Sequence, residues 1–303
     1  MTFDAVLIAG PTASGKSAAA LAIAEAFNGV IINADSMQVY REAPILTAQP
    51  RGAERSRVPH LLFGHVSARD GYSVARYAAD AALALEQARA GGKLAVFAGG
   101  TGLYFTALTE GLVDIPPIPP EIRANARALL EEIGVARLHA HLAERDPKTA
   151  AGLRASDPQR VLRALEVWEA TGRPLSDWQQ APAEPVLKNL RLKKFLLDLP
   201  RPALRARIAA RFATMVEEGG LAEALALRDL DPGLPAAKLL GLRPLIDLAG
   251  GRLTRAQAMS QAITATHQFA KRQMTWFRNR MGDYVWLNPY ESNIVALLRQ
   301  NDA

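Results

Sequence analysis

Residues 5–17 read Ala-Val-Leu-Ile-Ala-Gly-Pro-Thr-Ala-Ser-Gly-Lys-Ser, a short apolar strand that runs straight into a Gly-x-x-x-x-Gly-Lys-Ser loop. That spacing makes a phosphate cradle. Gly10 and Gly15 free the backbone over Pro11, Thr12, Ala13 and Ser14 to aim its N–H groups at anionic oxygens. Lys16 adds a point charge, and the Ser17 hydroxyl is placed to hold Mg²⁺, the expected cofactor. Residues Lys16 to Phe27 follow as an Ala-rich helix, whose N-terminus favours negative charge. The loop therefore predicts a grip on a diphosphate or triphosphate, with Gly10 through Ser17 as its binding residues. A glycine-rich strand-to-helix turn with no ligand is the competing reading of the same residues.

Two further apolar segments end in polar or glycine-rich turns. They are Val30–Ile32 before Asn33-Ala34-Asp35-Ser36 and Leu94–Ala98 before Gly99-Gly100-Thr101-Gly102. Helical patterns lie between the three strands, notably Ser73 to Ala90. Strand, turn and helix in alternation predict an α/β fold, a P-loop NTPase-like parallel sheet flanked by helices. In such sheets the ligand sits outside the carboxyl ends of the strands, so topology places Asp35 and Thr101 on the rim of Lys16 and Ser17.

The pattern then changes. Ile115-Pro116-Pro117-Ile118-Pro119-Pro120 is a stiff linker, because proline fixes φ and blocks helix propagation. From Glu121 to about Gln180 the chain reads as helix. Ile122, Ala126, Leu129, Leu130 and Ile133 form an apolar stripe, with Arg123 and Arg127 on another face. Asp157-Pro158 is a helix start, and Gly172 with Pro174 closes that helix. Ala181-Pro182-Ala183-Glu184-Pro185 is a second linker. The expected organisation is a first core part over 1–114, a helical insertion domain over 115–187, and a second core part with C-terminal helices over 188–303. Within the last, Leu192 to Leu199 reads as a return to the sheet, Ser260–Arg280 as a helix and Tyr284–Leu287 as a last strand.

The chain has 303 residues, 49% apolar and 22% charged, enough to bury a sizeable core. It has no cysteine, which excludes disulfides and thiolate metal sites. No apolar run approaches a membrane span, and Met-Thr-Phe-Asp lacks a basic leader, so a cytoplasmic protein with no membrane partner is expected. A net charge of +6 permits a polyanionic partner without requiring one. The five histidines offer no metal-ligand spacing.

Four other segments carry chemistry. Asp35 suits a general base or an indirect Mg²⁺ holder, or an N-cap for the following turn. Gly99-Gly100-Thr101-Gly102 suits a second anion site or a tight turn. Gln159-Arg160-Val161-Leu162-Arg163 sets two arginines one turn apart for adjacent phosphates, or on a solvated face. Lys271-Arg272-Gln273-Met274-Thr275-Trp276-Phe277-Arg278 mixes basic and aromatic side chains, for nucleic acid or for core packing. Asp198, after Phe195-Leu196-Leu197, is a minor Mg²⁺ candidate.

Together these motifs resemble the tRNA dimethylallyltransferases, also called tRNA isopentenyltransferases. The likeness rests on residues 10–17, Asp-Ser-Met-Gln-Val-Tyr at 35–40, Gly-Gly-Thr-Gly-Leu-Tyr at 99–104, Asp-Pro-Gln-Arg-Val-Leu-Arg-Ala-Leu-Glu at 157–166, and residues 271–278. The resemblance implies transfer of a dimethylallyl group from dimethylallyl diphosphate to N6 of the adenosine 3′ of a tRNA anticodon, with Mg²⁺. The tRNAs implied are those reading codons that begin with U. It implies Asp35 as general base, with Thr101 and Lys16 also catalytic. It further implies Asp35, Ser36, Met37, Gln38, Thr101, Arg123, Gln159, Arg160, Val161, Leu162, Arg163, Lys271, Arg272 and Arg278 as tRNA-binding residues. A monomer is expected. Two segments depart from the family pattern: Leu46-Thr47-Ala48-Gln49-Pro50, where many relatives carry a lysine in place of Gln49, and Lys238–Arg243, where Leu242 replaces a usual tyrosine. The alternative reading is an ATP-dependent kinase of a small molecule or nucleotide, for which the first 110 residues would serve equally well.

Overall fold

Strand β1 (Ala5–Ala9) is buried at every position, as an unbroken apolar run without alternation requires. The computed structural model describes residues 2–113, 115–181 and 183–300. In it β1 is flanked on both sides by parallel partners, β4 (Leu94–Gly99) and β5 (Leu192–Leu197). Outside β4 lie β2 (Gly29–Asn33) and then β3 (His60–Leu61); outside β5 lies β6 (Val285–Leu287). All six strands are parallel, in the order β3-β2-β4-β1-β5-β6.

The two-residue period of the strands splits the core into two layers. Leu7, Ile32, Phe97 and Leu196 point to one face, while Val6, Ile8, Ile31, Val96 and Phe195 point to the other. Each face is covered by helices, which is the arrangement expected from the sequence. The register pairs Ala9 with Gly99 and Asn33 with Ala98. The carboxyl ends of β1, β2 and β4 therefore open onto one rim, carrying the 10–17 loop, Asp35 and Thr101 together. β3 escaped the sequence reading because two residues carry no periodicity.

The chain divides into two compact units, Met1–Thr109 with Val186–Ala303, and Glu110–Pro185. The sequence reading drew the corresponding limits at 115 and 187. In the second unit, helix Pro158–Thr171 starts at Asp157, whose carboxylate accepts from Arg160 N at 3.1 Å, and ends at Gly172. Buried Asp146 takes two donors, Thr149 N at 2.9 Å and Leu175 N at 3.2 Å. It thereby ties helix Pro147–Ala151 to helix Leu175–Trp178. Leu138, Leu142, Val161, Leu165 and Val167 form this unit's core. The continuous helical stripe over 121–133 ends at Gly134, where φ 76° and ψ 164° break the Pro120–Arg145 helix.

Helix Arg255–Arg280 begins five residues earlier than its apolar pattern, because Thr254 and Gln257 form a reciprocal capping box. Among the described residues no helix is long and apolar enough to cross a membrane.

Candidate active site

The strand-to-helix loop after β1 adopts its cradle because Gly15 sits at φ 98°, a conformation that side chains oppose, and delivers the chain into helix Lys16–Ala26. Ser14 N donates to Pro11 O at 3.2 Å, closing the turn. Lys16 Nζ donates to the same carbonyl at 2.7 Å. The desolvation of this site pushes the Lys16 ammonium down to about 8, against the opposing pull of Asp35 and with the added repulsion of Arg211.

Residues 12–17 line a cavity of 740 Å³ that also takes in Asp35, Gln38, Arg51, His60, Arg207 and Arg211. Arg207 and Arg211 come from helix Arg201–Met215, four residues apart and hence on one face. Arg211 donates to Thr12 Oγ1 at 2.5 Å, and Arg207 lies over Gly15. Sequence reasoning missed this pair; their i,i+4 spacing marks one helix face but does not say what that face meets. Arg51, also missed, pairs with Glu218 at the cavity wall.

Asp35 is held by a double clasp. Its N–H donates to Asn33 Oδ1 at 2.9 Å, and Asn33 Nδ2 donates to its carbonyl at 2.9 Å. Asp35 Oδ1 accepts from Met37 N at 2.9 Å, so one oxygen caps the turn, while its carboxylate lines the cavity. The turn-capping reading of Asp35 is met by this bond. Thr101 Oγ1 accepts from Ser36 N at 2.8 Å and donates to Ser36 Oγ at 3.1 Å. Its hydroxyl is engaged in holding the Asp35 loop. Gln38 Nε2 donates to the carbonyls of Thr47 and Ala48 at 2.9 and 2.8 Å, which shapes the cavity wall. Met37 lines a smaller adjoining cavity of 40 Å³ with Thr12, Asp35, Arg211, Phe212, Leu240 and Phe269.

The turn after β4 needs its glycines for packing, as the tight-turn reading expects. A Cβ at Gly100 would lie 2.2 Å from Gln273 Nε2, and one at Gly102 would lie 2.1 Å from Trp276 Nε1. Close packing of helix Arg255–Arg280 requires these glycines. That helix accordingly divides the 271–278 motif: Gln273, Met274 and Phe277 are buried, while Lys271, Arg272 and Arg278 are exposed.

In the 159–163 motif, Gln159 and Arg160 are exposed, and Arg160 pairs with Asp157 at 3.5 Å. Val161 is fully buried, which corrects the assignment of its side chain as an RNA contact, and partly buried Leu162 packs on the same core. Partial burial holds the Arg163 guanidinium below its ordinary basicity, Glu166 opposes this, and nearby Arg123 adds to it. Arg123 and Arg163, distant in sequence, are therefore brought into one positive field.

The two departures have local explanations. Gln49 is buried and donates to Tyr40 O at 2.7 Å, so the amide braces the loop where a lysine would carry charge. Leu242 is 3% exposed, in the main core, which leaves this segment no stacking side chain at that position. Asp198 lies outside the residues lining the large cavity; its N–H continues the sheet to Leu287 O at 2.9 Å.

Among the described residues no three His, Cys, Asp or Glu side chains could cage a metal. Ser17 and Asp35 nevertheless put hard oxygen donors on the cavity wall. That sparse set suits Mg²⁺, which retains waters and takes its remaining ligands from substrate phosphates.

The IPP transferase family model matches residues 38–280. The chain belongs to the IPP transferase family. Among its relatives, the tRNA dimethylallyltransferase of Azorhizobium caulinodans is 53% identical, over 93% of this chain and 91% of that protein. The tRNA dimethylallyltransferase of Bradyrhizobium sp. is 50% identical, over 94% and 93%. The tRNA isopentenylpyrophosphate transferase of Bacillus halodurans superposes with a TM-score of 0.67 at 31% identity, over 98% of this chain and 94% of that one. A eukaryotic dimethylallyltransferase acting on tRNA gives a TM-score of 0.81 at 26% identity, over 98% and 78%.

The depressed Lys16 carries a pH prediction. The charged ammonium is the form that attracts an anionic donor, and it prevails below about 8 and is lost above it. kcat/KM for the diphosphate donor is therefore expected to fall as pH rises through about 8, with Lys16→Arg flattening that limb because guanidinium stays charged. A wild-type profile level to pH ~10 would overturn the assignment.

Proposed function

We propose that this protein transfers a dimethylallyl group from dimethylallyl diphosphate to N6 of the adenosine 3′ of the anticodon in tRNAs reading U-initial codons. The observation that carries this reading is one cavity in which a phosphate loop with Lys16 and Arg211 faces the Asp35 carboxylate. An exocyclic adenine amine is a weak nucleophile, so the leaving group needs charge stabilisation and the amine must lose a proton. Lys16, Arg207, Arg211 and the free N–H groups of the loop stabilise the charge that builds on diphosphate as the allylic C–O bond breaks. Asp35 takes the N6 proton. Mg²⁺, held by Ser17, would supply further Lewis-acid stabilisation of the diphosphate oxygens. Thr101 keeps the Asp35–Ser36 segment in place.

The target base must leave its stack to enter the cavity. Exposed Arg123, Gln159, Arg160, Lys271, Arg272 and Arg278, with half-buried Arg163, supply phosphate contacts that do not depend on base identity. The kinase reading used only the first 110 residues, and family membership disfavours it.

Labelled dimethylallyl diphosphate and unmodified tRNA with adenosine at the site provide the test. Label is expected in that adenosine, with diphosphate released. ATP turnover on a small acceptor with no label in tRNA would overturn the reading.

A further inference from the structure

One buried polar side chain lies against the site from outside it. Gln273, on helix Arg255–Arg280, is 6% exposed. Its Oε1 accepts from Thr12 N at 2.9 Å, and its Nε2 donates to Gly100 O at 2.8 Å. The first partner belongs to the phosphate loop and the second to the turn after β4. A backbone N–H can only donate and a carbonyl can only accept, so the two partners fix the amide's orientation.

From these contacts we propose that Gln273 is a positioning residue that sets the separation between the diphosphate cradle and the general base. The proposal rests on the roles given above to Lys16 and Asp35. Gly100 is adjacent to Thr101, whose N–H donates to Ala34 O at 3.2 Å and whose hydroxyl holds Ser36. A Cβ at Gly100 would also lie 3.2 Å from Asp35 Oδ2. The amide, the glycine backbone and the carboxylate thus pack in sequence without intervening space. On the other side Thr12 is gripped twice, by Gln273 at its N–H and by Arg211 at its hydroxyl. The Thr12 N–H is thereby withheld from the diphosphate, and the loop is fixed before substrate arrives. Trp276, one turn further on, fills the space over Gly102 and sets the height of the helix against the same turn.

Only a side chain with both a donor and an acceptor at this length joins the two loops. Glutamate keeps the Thr12 bond and loses the donation to Gly100 O; methionine keeps the shape and loses both. Misplacement of reacting groups by about 1 Å can cost about 10²-fold in rate. Single-turnover transfer at saturating tRNA and dimethylallyl diphosphate is expected to slow about 10–100-fold in Gln273→Met, with tRNA Kd within about twofold of wild type. In Gln273→Met, donor affinity is expected to hold within about threefold while the transfer step slows, a split that a purely structural role would not give. Gln273→Glu also sets a buried negative charge against the phosphate loop and is expected to weaken donor binding as well.

Transfer within about threefold of wild type in either folded variant, or a loss that only tracks the unfolded fraction, would overturn the proposal. If neither variant folds, Gly100→Ala displaces the amide from the opposite side, and unchanged transfer there overturns it equally. Asp35→Asn measured alongside separates the readings. Full activity in Asp35→Asn defeats the site assignment itself, whereas loss in Asp35→Asn with none in Gln273→Met defeats only the positioning role.

Discussion

Replacing Asp35 by alanine is expected to slow transfer about 10²–10⁴-fold, the range that a well-placed general base contributes, while tRNA affinity stays within about threefold. The separation of rate from binding follows from the geometry. Asp35 contributes one carboxylate to the cavity, whereas the phosphate contacts proposed for tRNA fall to the exposed basic side chains on helices Pro158–Thr171 and Arg255–Arg280. Alanine also removes the acceptor for Met37 N, so some of the loss would come from a loosened turn. Asp35→Asn separates the two effects. Its amide oxygen can still accept from Met37 N, but the side chain can no longer take a proton. A rate as low in asparagine as in alanine, with unchanged thermal stability, assigns the loss to proton removal. Recovery of most activity in asparagine would make Asp35 a turn residue and leave the base to be found elsewhere.

The site was legible where its chemistry is contiguous or follows from topology. The 10–17 loop declares itself because its whole Gly-x-x-x-x-Gly-Lys-Ser pattern lies within eight residues. Asp35 and Thr101 could be placed with it because parallel strands end on a common rim. What sequence could not show is contact made between distant segments. Arg211 reaches Thr12 across 199 residues, and Gln273 reaches it across 261. No spacing rule connects such positions.

The glycines after β4 stayed ambiguous in the sequence for a related reason. A glycine required by an incoming side chain and one required by an anion look alike in sequence, so the role of Gly100 and Gly102 emerged only with Gln273 and Trp276 in view. The mixed character of 271–278 was resolved the same way: helical geometry buries Gln273, Met274 and Phe277 and leaves the charges outside. The fold was more legible than the site, since continuous apolar runs for β1, β2 and β4 leave few alternatives to a buried parallel sheet.

Lys16→Met is expected to lower kcat/KM for dimethylallyl diphosphate at least about 10²–10³-fold, the loss seen when one preorganised donor to a developing oxyanion is removed. The same substitution is expected to leave the ligand-free protein as stable as wild type, or more so. Burial disfavours the Lys16 charge and Arg211 repels it, with only Asp35 opposing. The ammonium is thus held in an unfavourable setting until an anion arrives, and a methionine of similar length removes that penalty. The cost of the substitution should therefore appear only with ligand present. A ligand at about 100 times its Kd stabilises the folded state by about 2.7 kcal/mol. Thermal unfolding with and without inorganic diphosphate reads this directly: wild type should gain stability on adding diphosphate, and Lys16→Met should gain little. Equal gains in the two proteins would show that the loop's N–H groups and Arg207 with Arg211 hold the anion without Lys16. A ligand-free Lys16→Met protein much less stable than wild type would show instead that its bond to Pro11 O is structural.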